Sequence, residues 1–246
     1  MKPGFVLFQC GALVAFLLLV RFTWRTMGPK HAIGFLLYLL VASVFHELAV
    51  AGMAAVADRP PNYTAAQGTL RIGSLGVAIV MGWMFATILS FQLARMIQSR
   101  SFPGSNIFAT LTLMALVTSA ISYAVEITGM RVGLWVWAHN QPLSVWLPFS
   151  YPTAAFRAWP ASTTLMMGLY CTFRYRLFSS SRWVSSLVGL AFFFTYTFLE
   201  MIEDRLLPTG WLLIDAQSQR PIVLWGCLLA LTLWAPKSML GSSERA

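Results

Sequence analysis

Only eight acidic residues occur in this chain of 246 residues, and they are unevenly placed. Glu47 follows His46 in the middle of an apolar run. Glu126 closes a second run, and Glu200, Glu203 and Asp204 close a third. A carboxyl group in such a place is costly to ionise. Desolvation favours its protonated form, and at a helix C-terminus so does the negative end of the macrodipole. A carboxylic acid kept protonated among apolar side chains donates a proton to an alkene or an ether oxygen. That step opens the acid-initiated hydration or cyclisation of a lipophilic compound. Glu126 is the first candidate for the acid, Glu47 for its partner acid/base, and Glu200 is third. Glu203 and Asp204, beside Arg205, read as a solvated helix end.

The stretch after Glu126 is unusual in composition. From Tyr123 to Trp159 it is dense in Gly, Trp and Pro, and it is flanked by Arg131 and Arg157. Four of the ten tryptophans fall here: Trp135, Trp137, Trp146 and Trp159. Tryptophans gather at headgroup level as an interfacial belt, and an aromatic wall also stabilises a carbocation. Trp135, Trp137, Phe156 and Trp159 are therefore the candidate lining of a substrate chamber. Arg131 and Arg157 are read either as snorkelling anchors or as groups that orient a carboxylate or a substrate oxygen.

Other chemistries are poorly supplied. Three histidines (His31, His46, His139) are too few for a di-iron site, and His46-Glu47 is not followed by the second histidine of HExxH. There is no P-loop, no GxGxxG after a strand and no GxSxG elbow. Cys10, Cys171 and Cys227 are isolated in apolar segments and read as small core residues. The expectation is acid/base chemistry with no metal and no cofactor.

The elements that must position these residues follow from hydropathy. The chain is 58% hydrophobic and 10% charged, against about 25% charged in an ordinary soluble domain. Apolar runs of membrane-crossing length recur along it. The expected fold is all-α, a single polytopic transmembrane helix bundle of about seven spans. These spans are residues 5–20, 32–57, 72–93, 107–125, 158–173, 183–199 and 221–234. The first resembles a signal-peptide core but lacks a small-x-small cleavage site before Arg21, so it reads as a retained span. With seven spans, ten Lys/Arg lie on one side (Arg21, Arg25, Lys30, Arg95, Arg100, Arg174, Arg176, Arg182, Lys237, Arg245) and seven on the other. The Lys/Arg excess places the amino terminus outside and the carboxyl terminus in the cytoplasm. Glu47, Glu126 and Glu200 then sit toward the same outer face. The net charge of +9 is spread in ones and twos beside apolar segments, which fits topology anchoring and not nucleic acid. The expected partners are the bilayer, a lipophilic small molecule and other enzymes of a biosynthetic pathway, in a cell membrane.

Glu126, Gly133, Trp135 and Trp137 resemble the Glu-x(6)-Gly-x-Trp-x-Trp/Tyr signature of the membrane carotenoid-biosynthesis family, which includes the carotenoid 1,2-hydratases. Pro152, Phe156 and Trp159 resemble its later Pro-x-x-Asn-Phe-x-Gly-Trp segment, with Ala155 in place of Asn and Ala158 in place of Gly. The same Glu-to-Gly-Leu-Trp pattern is similar to that of the avermectin-type spirocyclases. The resemblance implies a membrane hydratase or cyclase acting on a polyene or isoprenoid. Two alternatives stand beside it: a polyketide spiroketal or ether cyclase using the same carboxylates, and a non-enzymatic seven-span transporter or sensor.

Overall fold

The computed structural model describes residues 3–56, 63–65, 71–72, 75–102, 105–133, 135–137 and 153–192. The architecture is helical. Helix α1 is Pro3–Met27 and α2 is Pro29–Val56, followed by three short strands, β1 (Tyr63–Ala65), β2 (Arg71–Ile72) and β3 (Leu75–Gly76). Then come α3 (Val77–Ser101), α4 (Ile107–Val132), β4 (Trp135–Trp137), α5 (Thr153–Tyr175) and α6 (Arg182–Phe192). Extended pairing among the described residues is confined to two antiparallel ladders, β1 with β4 and β2 with β3.

Among the described residues four helices are long and apolar enough to cross a membrane, over Gln9–Met27, Pro29–Ala49, Val77–Ser101 and Ile107–Val132. Helix α5, expected to span, is not among them. Ser162, Thr163 and Thr164, with Arg157 and Arg174, dilute its apolar content. The segment expected at 221–234 lies outside the described residues, as does the end of the one expected at 183–199.

Several boundaries differ from the hydropathy reading, each for a local reason. Arg21 and Arg25 do not form a basic loop; they ride on the last turns of α1, where long cationic side chains reach the interface. The joint to α2 is Gly28 alone, at φ 75°. Glycine tolerates this left-handed conformation, and Pro29 suits the first position of the next helix. At the start of the third segment Arg71–Ile72 pairs with Leu75–Gly76, so the helix begins at Val77 and not at Ile72. Helix α4 runs past Glu126 to Val132, which puts the carboxylate inside the helix.

The chain divides into two compact units, and α3 and α4 each contribute to both. The first unit comprises residues 1–89 and 121–155 and holds α1, α2, the ladders, the first half of α3 and the last part of α4. In it α1 is in contact with α2. Its buried side chains include Phe35, Leu39, Trp83, Ile88, Ser122 and Glu126. Leu7, Leu18, Leu37, Val41 and Phe45 are exposed along α1 and α2, which suits faces turned to lipid.

The second unit comprises residues 90–120 and 156–246. Leu111, Met114, Ala115 and Thr118 follow one another at helical spacing on α4 and are buried, as are Thr163, Met167 and Cys171 on α5. Between apolar helices in lipid, burial of hydrocarbon supplies little drive, and small residues and hydroxyl hydrogen bonds hold the contact. Thr118 and Thr163 share such a bond at 3.2 Å. Thr163 Oγ1 also donates to the Trp159 carbonyl at 2.9 Å, next to Pro160, whose missing N–H interrupts the α5 ladder.

Helix α6 packs closely on α5. Ser185 Oγ donates to the Thr172 carbonyl at 2.9 Å, and a Cβ added at Gly189 meets Thr172 Cγ2 at 2.5 Å. Gly189→Ala is therefore expected to destabilise the purified protein by about 1–3 kcal/mol, as overpacking does. Gly52→Ala, exposed on α2 with open space around it, gains helix propensity and stabilises by about 0.5–1 kcal/mol. Thermal unfolding in detergent distinguishes the two, and equal behaviour of the two variants overturns the packing argument.

Candidate functional site

The first unit holds two of the three acid residues expected to do chemistry, Glu47 and Glu126. Glu47 lies in the interior of α2 and is half-buried. Trp83, on α3 and buried, donates its indole N–H to Glu47 Oε1 at 2.5 Å. The ring of His46, one residue earlier on α2, meets the Trp83 ring edge-on, with centroids 4.6 Å apart and planes at 75°. Two consecutive residues of α2 are thus fastened to one indole of α3. The indole is a neutral donor to this carboxyl group.

Glu126 is 3% exposed. Ser122, one turn earlier on the same face of α4, is fully buried, so the carboxyl group sits at the end of a polar buried strip. Glu126 precedes the helix end by six residues. The macrodipole acts mainly within the last turn, so burial, not the dipole, is what sets this carboxyl group apart. Arg131 is exposed on the last turn. Five residues on from Glu126, it is rotated about 140° around the helix, a placement that matches an interfacial anchor.

Gly133 stops α4. Its φ is +74°, and its N–H bonds the Met130 carbonyl at 3.1 Å, a helix-end geometry that favours glycine. The chain is then free to pair, and Trp135–Trp137 lies antiparallel to Tyr63–Ala65, with Ala65 opposite Trp135 and Tyr63 opposite Trp137. This ladder links the chain leaving α4 to the chain leaving α2. Strand β3 leads directly into α3 and touches α2. Measured along their helices, Glu126 is about 9 Å from the α4 end, Trp83 about 9 Å from the α3 start and Glu47 about 13 Å from the α2 end.

The remaining candidates are divided. Trp135 and Trp137 belong to the first unit through the backbone of β4. Phe156, Arg157 and Trp159 are on α5 in the second unit, where Trp159 is buried. Glu200 lies outside the described residues. Trp83 and Ser122 were not among the residues singled out from sequence. The signal for Trp83 was nonetheless present: an indole N–H inside an apolar segment needs an acceptor, just as Glu47 needs a donor. Among the described residues no group of three or more His, Cys, Asp or Glu side chains is placed to hold a metal ion.

The described residues thus form a helical architecture with four helices long and apolar enough to cross a membrane, and two of these, α2 and α4, carry Glu47 and Glu126. No family model, curated protein or solved structure matches the chain.

Proposed function

We propose that the chain is a multi-pass cell-membrane enzyme that protonates a lipophilic polyene or isoprenoid-like substrate and directs the resulting cation to water or to ring closure. The observation that carries this reading is the burial of Glu126 within a helix of membrane-crossing length. An ionisable group in that position is expensive and marks a functional site by default. In its protonated form Glu126 gives its proton to one carbon of an alkene. In hydration, a water oxygen then bonds to the cationic carbon and loses a proton to a carboxylate. In cyclisation, a second alkene attacks the cation, and a C–H beside the new cationic carbon gives its proton to a carboxylate as its electron pair forms the product alkene.

Glu47 is the partner acid/base in this proposal, held by Trp83, and Glu200 is a third carboxyl group. Trp135 and Trp137, in the same unit as Glu47 and Glu126, line the chamber in this proposal. The proposal includes seven spans, with the amino terminus outside and the carboxyl terminus in the cytoplasm, and other biosynthetic enzymes as suppliers of substrate.

Expression in a host that makes candidate polyenes, with mass analysis of the lipid extract, tests it. A product heavier by one water means hydration, and an isomer of unchanged mass with altered retention means cyclisation. An unaltered extract across polyene and polyketide hosts, together with a proton flux in vesicles carrying the protein, refutes the enzyme and leaves the transporter.

A further inference from the structure

Among its described residues, the second unit gathers arginines at one end. Arg95 and Arg100 lie on the last turns of α3, Arg174 on the last turn of α5, Arg176 just beyond it and Arg182 at the start of α6. All but the half-buried Arg174 are exposed. Residues 90–120 and 156–192 contain no Asp or Glu, so no carboxylate of the described part of this unit neutralises these five guanidinium groups.

The elements that bear them converge. Arg95 lies close enough to Cys171 and Tyr175 for its charge to act on both, which brings the end of α3 to the end of α5. Phe108, at the start of α4, meets Phe178 of the α5–α6 connection at 6.5 Å. Gln98 Nε2 donates to the carbonyls of Ser105 and Asn106, each at 3.1 Å, and so fixes the turn between α3 and α4.

Three of the guanidinium groups also have partners within the unit. Arg95 lies over the Phe91 ring at 5.8 Å and Arg182 over the Phe173 ring at 5.9 Å. Arg176 donates to the Ser180 carbonyl at 3.4 Å. A guanidinium laid on an aromatic face keeps its N–H edge for planar oxygen acceptors. Trp183, beside Arg182, is 78% exposed, and exposed tryptophan favours headgroup level. Topology anchoring needs only the number of arginines; their convergence at one end, among described residues that carry no acid, also suits an anionic ligand.

We propose that this end of the second unit is a docking site for the phosphate headgroups of anionic phospholipids in the adjoining leaflet. Charge complementarity sets the occupant: several fixed cations at the ends of apolar helices match phosphates already present at that depth. Trp183 supplies the probe. The protein is reconstituted with brominated phosphatidylglycerol or brominated phosphatidylcholine, and the Trp183-dependent quenching is taken as the difference between the parent chain and Trp183→Phe. Phosphatidylglycerol is expected to reach half-quenching at a several-fold lower mole fraction. Arg95→Gln with Arg182→Gln is expected to abolish that preference, since each arginine near the surface accounts for about fivefold. Arg182→Gln alone serves if the pair fails to insert. Equal quenching by the two lipids, or a preference that survives the substitutions, overturns the site. So does abolition of the preference by millimolar inorganic phosphate at constant ionic strength, which assigns the arginines to a soluble anion.

Discussion

Glu126→Gln is expected to lower the yield of product in the lipid extract by about 10²–10⁴-fold, the range that a positioned general acid contributes. The membrane content of the protein should be unchanged. Glutamine keeps the shape of the side chain and its capacity to accept and donate hydrogen bonds, but has no proton acidic enough for an alkene. Because Glu126 is 3% exposed, a substitution that changed volume would confuse loss of packing with loss of chemistry, and the near-isosteric amide avoids this. Glu126→Asp retains the acid but withdraws it by one methylene, and a displacement of about 1 Å is enough to cost about 10²-fold in rate. The aspartate variant should therefore fall between parent and amide. Ser122→Ala, which removes a hydroxyl from the same buried face of α4, should have a smaller effect than either. The measurement is product per unit of inserted protein, alongside thermal unfolding of each purified variant. Product at the parent level from inserted Glu126→Gln ends the acid assignment. An amide variant that loses product only in proportion to lost protein assigns Glu126 to folding.

The apolar helices were legible from hydropathy because the signal is simple: long runs of residues such as those of α1 and α2 have no other stable placement. Their ends were less legible. Arg95 and Arg100 looked like terminators, yet α3 extends through both to Ser101, since a long cationic side chain continues a helix while its charge reaches the interface. Glu126 looked terminal for a similar reason, whereas the actual stop is Gly133 with its positive φ. Ladder pairing was invisible, because Tyr63 and Trp137 are 74 positions apart in the chain (137 − 63) and two three-residue strands leave no periodic trace. Trp83 was overlooked because an aromatic in an apolar run is ordinarily core. Only its N–H distinguishes it, and the acceptor lies thirty-six residues away on another helix. The acids themselves were the legible part of the site: a carboxyl group in hydrocarbon is conspicuous in one dimension, and its partner is not.

The pairing of Glu47 with Trp83 has a measurable consequence. Trp83→Phe preserves most of the buried ring but deletes the N–H that reaches Glu47 Oε1. Hydrogen bonds between neutral groups in membrane helices average about 0.6 kcal/mol, and those with an ionised partner are roughly twice as strong. A double-mutant cycle of Trp83→Phe with Glu47→Leu should therefore give a coupling of about 1–2 kcal/mol in equilibrium unfolding from micelles. The single variant Trp83→Phe should be the more damaging in the presence of Glu47, because it removes a donor from a carboxyl group inside a span. Additivity to within about 0.5 kcal/mol means that the bond does not hold α2 to α3. The same variants separate fastening from catalysis. If Glu47 only ties two helices together, Glu47→Gln, whose amide oxygen still accepts from the indole, retains both stability and product. If Glu47 exchanges protons with the substrate or with water, Glu47→Gln retains stability and loses product, while Trp83→Phe loses stability first and product in proportion.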